Sequence, residues 1–169
     1  MKKLMIFVAA FTIMASTVHS QNLKEFFNNY NKDSRFESVT VGRFLLTLPL
    51  IFGNLDKSDR EFIACIHRVN VLSSASVVEP AFSAIVLTDL NKIIRNGNFE
   101  SLVEVNDKGE KVNVYYHINR TIISDLLVVV NEKDEMNIVL INGKLTKNMI
   151  DKYQNELANN SSNLPISLH

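Results

Sequence analysis

The sequence predicts an α+β domain: an antiparallel sheet of about five to six strands with helices packed on one face. Three observations carry this. Strand-like runs at 99–105, 112–118, 122–130 and 136–141 follow one another across short turns, and strands joined that closely must be antiparallel. Ahead of them, apolar residues recur at helical spacing over 22–32 and 79–95. No internal repeat, heptad or low-complexity linker breaks the order, so one sheet with packed helices is the economical architecture.

The first element is not part of that domain. Met1, Lys2 and Lys3 are followed by an apolar run from Leu4 to Ala15 that only Thr12 interrupts. A basic start with an apolar stretch of roughly 12 residues has the form of a secretory signal, and it is shorter than the about 20 residues that span a bilayer. Val18 and Ser20 stand three and one before Gln21, which places cleavage after Ser20. Residues 1–20 are thus expected to be a signal peptide, 21–157 a single α+β domain and 158–169 a polar, disordered tail. No transmembrane anchor remains in the mature form, and the protein is expected to be exported, to the periplasm or the cell surface.

The elements of the domain follow in order. Leu23, Phe26, Phe27 and Tyr30 make one apolar stripe on a helix, and 36–41 alternates as a strand ended by Gly42. The nearly all-apolar stretch from Arg43 to Phe52 contains Pro49 and reads either as a short buried helix broken near the proline or as a helix followed by an extended piece. Ser58 and Glu61 fit a capping box that opens a helix reaching about Ile66. A strand over 68–72 comes next, then the long helix over 79–95 with a left-handed stop at Asn96-Gly97. In 112–118 apolar and polar residues alternate, giving one buried and one partly wet face, whereas 126–130 is apolar throughout and should be central. Asn142-Gly143 is expected to close the sheet, and Thr146 to cap a last helix to about Leu157.

Composition limits the partners. The chain has 18 basic and 18 acidic residues, and loss of Lys2 and Lys3 leaves a net charge near −2 with the signs interspersed. Nucleic acid and anionic membranes ask for clustered Lys and Arg, so nucleic acid is excluded as a partner. The single cysteine, Cys65, can form no intramolecular disulfide and reads as a small buried hydrophobe.

Chemistry leaves little trace. His67, His117 and His169 have no metal-ligand spacing with cysteine or carboxylates, and the simplest reading of His117 is a surface residue. Cys65 and His67 would meet only if the segment were extended, and the capping box argues for helix. Phosphate-loop, dinucleotide and Gly-x-Ser-x-Gly signatures are absent. Glu100, Glu104 and Asp125 are carboxylates that a fold could pair as general acid and base. Asn119-Arg120-Thr121 and Asn160-Ser161-Ser162 have the form of glycosylation acceptors. No catalytic, cofactor-binding or metal-binding residue is assigned, and no cofactor is expected.

The order of segments resembles a family of exported proteins of Bacteroidetes-type bacteria, the domain of unknown function 4252. The resemblance rests on the leader, on 62–72 (FIACIHRVNVL), 99–105 (FESLVEV), 112–116 (VNVYY) and 126–130 (LLVVV), and on 138–145 (IVLINGKL). It implies a small bacterial envelope protein and transfers no activity. The expected function is a non-enzymatic binding module that engages an envelope protein, a peptide or a small apolar ligand through its sheet or the Arg43 to Phe52 segment. Phe44, Leu45, Leu48, Ile51 and Phe52 are the candidate contact residues, with core closure the alternative role for that segment. The competing reading is a small periplasmic hydrolase whose site is assembled from separate strands.

Overall fold

Side-chain alternation along six strands produces one twisted sheet with two differently covered faces. In the computed structural model, which describes residues 18–74, 79–107 and 109–152, the order of elements is α1 (Val18–Tyr30), β1 (Phe36–Gly42), α2 (Arg43–Phe52), α3 (Lys57–Cys65), β2 (Ile66–Ser74), α4 (Pro80–Asn96), β3 (Glu100–Asp107), β4 (Glu110–Asn119), β5 (Ile122–Asn131) and β6 (Met136–Thr146). The strands lie in the order β1-β2-β6-β5-β4-β3, and every neighbouring pair is antiparallel. The expected fold class is therefore the observed one. The expected signal peptide falls mostly on residues outside the described ones, as does the tail 158–169. No helix among the described residues is long and apolar enough to cross a membrane.

β3, β4, β5 and β6 form a meander whose turns follow from local chemistry. Gly109 turns the β3–β4 hairpin with φ of 96°, where a side chain would be strained. Asn119 pairs with Ile122, so Arg120 and Thr121 form a two-residue turn in which Arg120 takes φ of 61°.

The first sheet face carries the main core. Leu72 of β2, Leu127 and Val129 of β5, and Met136, Ile138 and Leu140 of β6 meet Leu23, Phe26 and Phe27 of α1 and Phe82, Val86, Leu90 and Ile94 of α4. Val86 and Leu90 are one turn apart and almost wholly buried, as the 3.6-residue period requires. The Arg35 guanidinium closes one end, 3.4 Å above the Phe82 ring, while Asp33 holds it through Oδ1 and Oδ2. That pairing keeps the Asp33 carboxyl down at about 2.

The expectation of helices on one face holds for the two longest. The shorter ones lie across the sheet: Leu46 of α2, Phe62 and Cys65 of α3 and Ile150 of the helical residues 147–152 pack with Ile66, Tyr116, Ile123, Leu126 and Leu145 on the second face.

Several local expectations change. Asp56, not Ser58, caps α3: its carboxylate accepts from the Asp59 amide at 3.0 Å and from the Ser58 hydroxyl at 2.9 Å, and an ionised acceptor outcompetes a hydroxyl for a helix-end N–H. The helix ends at Cys65, so His67 lies in a strand, the second residue of β2. Gly97 is not left-handed, with φ of −90°; Asn98 takes that conformation at 50°. β6 runs through Asn142-Gly143 to Thr146, whose Oγ1 accepts from the Met149 amide at 3.4 Å. The stretch from Arg43 to Phe52 is a continuous helix with Pro49 inside it, and it is not buried.

Candidate functional site

A β-bulge lets two consecutive residues share one sheet face, which regular alternation forbids. Two strands of this sheet, β2 and β5, carry such a bulge at one level. The register slips between Ile66 and Arg68 in β2, and between Ile123 and Asp125 in β5 against β6; opposite that position of β5, it also slips between His117 and Ile118 of β4. The two bulges have the same outcome. Ile66 and Val69 pack on the second face while His67 and Arg68 line a cleft on the first. Ile123 and Leu126 likewise bracket Ser124 and Asp125, and in β6, where Leu140 lies on the first face and Ile141 on the second, Asn142 lines the cleft by ordinary alternation with Gly143 beside it. Gly143 is required there, because a Cβ would stand 2.6 Å from the Cys65 carbonyl oxygen.

The cleft has a volume of about 640 Å³ and is walled by Leu23, Lys24, Phe27 and Asn28 of α1. Its floor is a chain of hydrogen bonds crossing five strands. Thr40 Oγ1 donates to Asn70 Oδ1 at 3.1 Å, Asn70 Nδ2 to Asn142 Oδ1 at 3.4 Å, and Asn142 Nδ2 to Asp125 Oδ1 at 2.7 Å. From the other side, Ser124 Oγ donates to Asp125 Oδ2 at 2.6 Å. His117 Nδ1 stands 3.1 Å from Ser124 Oγ. With the serine proton on the carboxylate, the remaining partner role for Ser124 Oγ is to accept, which assigns the proton of a neutral His117 to Nδ1. Both arms converge on Asp125, which is 8% exposed; its carboxylate gathers charge-assisted bonds from them, and His117 Nδ1 stands 3.6 Å from its Oδ2.

This arrangement holds a shape and leaves no activated nucleophile. A serine nucleophile must give its proton to an imidazole that a carboxylate orients from behind. Here the serine gives it to the carboxylate directly.

The second face has the opposite character. Val39, Val71, Val139, Val128, Val114 and Val103 are consecutive partners across all six strands, a single row of valines from edge to edge. Val130, Val112 and Val105 continue it over three strands. None is buried; Val39 is 55% exposed and Val105 48%. The far margin carries the exposed carboxylates Glu37, Asp107 and Glu110, on the same face by register.

Of the candidate contact residues, Phe44, Leu45 and Ile51 are exposed, Phe44 by 77%, while Leu48 is half-buried. The Phe52 side chain lies outside the described ones. Leu46 is the residue of α2 that packs against the second core cluster, with Leu48 and Leu50 half-buried, while Phe44, Leu45 and Ile51 face outward.

The remaining sequence candidates are dispersed. Glu100 accepts from the Tyr116 hydroxyl, a contact that raises the tyrosine pKa, on the face opposite Asp125. Glu104 is exposed, and its charge together with burial raises the pKa of Tyr115, burial acting more strongly. Cys65 packs on the second face and His67 lines the cleft on the first, so they form no dyad. His117 is not a surface residue: its side chain is 18% exposed and stacks 5.5 Å from the Phe99 ring. Among the described residues, no three His, Cys, Asp or Glu side chains converge as metal ligands. The polar row was missed because its members are scattered over five strands. The only local signal was the repeated pattern of two polar residues inside an apolar strand.

No curated protein and no solved structure matches this chain. Residues 30–153 match the family described as a domain of unknown function (DUF4252), and with most of its length inside that match the chain belongs to this family.

Proposed function

We propose that this is an exported, non-enzymatic binding module of the bacterial envelope, and that it engages a partner protein through the second face of its sheet together with α2. The row of six valines, of which Val39 is exposed and the other five half-buried, carries the reading. A row of β-branched side chains across a whole sheet is suited to packing against another apolar surface, and exposed apolar patches of this kind mark interaction sites. Phe44, Leu45 and Ile51 add apolar area from α2, which packs on β1 and β2. Glu37, Asp107 and Glu110 at the margin select a partner with an apolar centre and a basic flank. The polar row supports the non-enzymatic part, since its serine is bound to a carboxylate and not activated by an imidazole.

The test is affinity capture from envelope extracts with the wild-type protein and with Val39→Asp and Phe44→Asp, both at exposed positions. The expected result is a captured protein with a basic segment at its contact, lost with either variant while circular dichroism stays native, and weakened by salt. Self-association through the same face, or capture that both variants retain, overturns the reading. Export is tested separately by mass spectrometry: the form isolated from the host envelope should begin at Gln21, and recovery of chains still carrying residues 1–20 removes the export reading.

A further inference from the structure

We propose that the bulge-built cleft on the first face is a binding site for a small hydroxylated organic anion, a sugar-acid-sized molecule bearing a carboxylate or a phosphate. This stands apart from the partner surface, which lies on the other side of the sheet.

Three features point to a ligand. The first is the coincidence of the irregularities: bulges at one level turn two consecutive pairs, His67-Arg68 of β2 and Ser124-Asp125 of β5, toward the same cleft, and β6 adds Asn142 between them. A sheet that only needed a wet face would keep regular alternation, and bulges recur where a strand must re-aim a side chain at a site. The second is the composition of the cleft, an apolar wall from Leu23 and Phe27 facing a floor of ordered polar groups, within the volume range of small-molecule sites.

The third is the balance of donors and acceptors, which sets the chemical class. Among the described residues Asp125 is the only carboxylate lining the cleft, and both its oxygens already accept bonds, from Asn142 and Ser124. Lys24 and Arg68 also line it, and neither has a carboxylate partner among the described residues. Asn70 and Asn142 each spend one amide hydrogen within the row and hold a second. With the histidines neutral, the lining therefore carries one net positive charge and an excess of donors. An oxyanion accepts from Arg68 and Lys24, and hydroxyls on the same molecule exchange bonds with the amides, which both donate and accept. The fixed row pre-orders these amides, so the ligand need not order them itself.

The experiment is calorimetric titration of the whole chain with glucuronate, glucose 6-phosphate and glucose. At least one of the two anions should bind, and at least tenfold more tightly than glucose; which anion is the tighter tells carboxylate from phosphate. Arg68→Ala and Lys24→Ala should each weaken anion binding about tenfold with an unchanged melting temperature, whereas Arg95→Ala, at the end of α4, should not. Asn142→Ala, which cuts the row, should also weaken it. Glucose binding as well as the anions, binding that survives both Arg68→Ala and Lys24→Ala, or no binding of any of the three probes overturns the proposal.

Discussion

Asn142 and Asp125 face each other directly in the β5–β6 register, and the asparagine amide reaches the aspartate carboxylate at 2.7 Å. That contact joins the two arms of the polar row, and the row's cost and benefit both turn on it. A buried carboxylate is tolerated only while its donors stay in place.

Replacing Asp125 with alanine removes the acceptor for both Asn142 and Ser124. Leaving buried donors unmet costs about 1–3 kcal/mol, so D125A should lower the urea midpoint by that equivalent. Glu104→Ala, at an exposed carboxylate on the edge strand β3, should stay within about 0.5 kcal/mol of the parent. Equal stabilities for the two variants would show that the row holds nothing together.

Gly143→Ala sets a Cβ against the Cys65 carbonyl, which is backbone and cannot swing aside. Overpacking of this kind costs about 1–3 kcal/mol. Gly42→Ala meets nothing within 4 Å and should change stability far less. Thermal melts of the pair decide whether the approach of α3 to β6 is as tight as described.

Leu127 is fully buried between α1, α4 and the sheet, whereas Val39 is more than half exposed at the sheet edge. Leu127→Ala should cost about 2–5 kcal/mol in chemical denaturation. Val39→Ala should cost well under 1 kcal/mol, as surface changes away from special features do. A large loss at Val39 would mean that this valine belongs to the core.

Tyr30 donates to Asp89 Oδ2 at 3.0 Å, and burial, then that bond, pushes its pKa up to about 12. The folded state thus holds the phenol proton more tightly than the unfolded chain, whose tyrosines ionise near 10. The resulting stability is complete below pH 10 and is lost as the pH rises through about 12. Tyrosinate absorbance should show Tyr30 ionising late, and Asp89→Asn should bring that step down.

Asp33 shifts the other way, lowered to about 2 mainly by its side-chain bond with Arg35 and next by the Arg35 backbone N–H. Its contribution is present above the ordinary value of 3.8 and fades as the pH falls through about 2. In carboxyl NMR titrations, Arg35→Ala should return Asp33 toward 3.8.

Where hydrophobic period and turn chemistry agree, the sequence was readable. The runs later seen as β3, β4, β5 and β6 alternate or fill with β-branched residues between Gly-, Asn- and Asp-rich turns, and 126–130 was rightly read as central because both of its faces are apolar. The errors fall where the period breaks. Ile66-His67-Arg68-Val69 puts two polar residues between apolar ones of one face, and Asn142-Gly143 has the composition of a turn, so the second strand was begun late and the last was ended early. The break in β2 and its counterpart at Ser124-Asp125 are the bulges, and they build the cleft. The valine row is illegible for another reason: each strand supplies one valine, and only the register between strands lines them up. The outward turn of α2 was hidden by its composition, since ten nearly all-apolar residues look buried until a neighbour is found for only one side.

The strand order also has a consequence in time. β1 and β2 form one antiparallel pair and β3, β4 and β5 another unit, and among the described residues the two are joined in the sheet through β6, the last of the described strands. During synthesis the amino-terminal pair must therefore wait for residues 136–146 before the sheet can close, with α4 and the whole meander lying between them. Contacts so distant in sequence form slowly. In a chain wired in this way, the strand that unites the sheet is made after both of the units it joins.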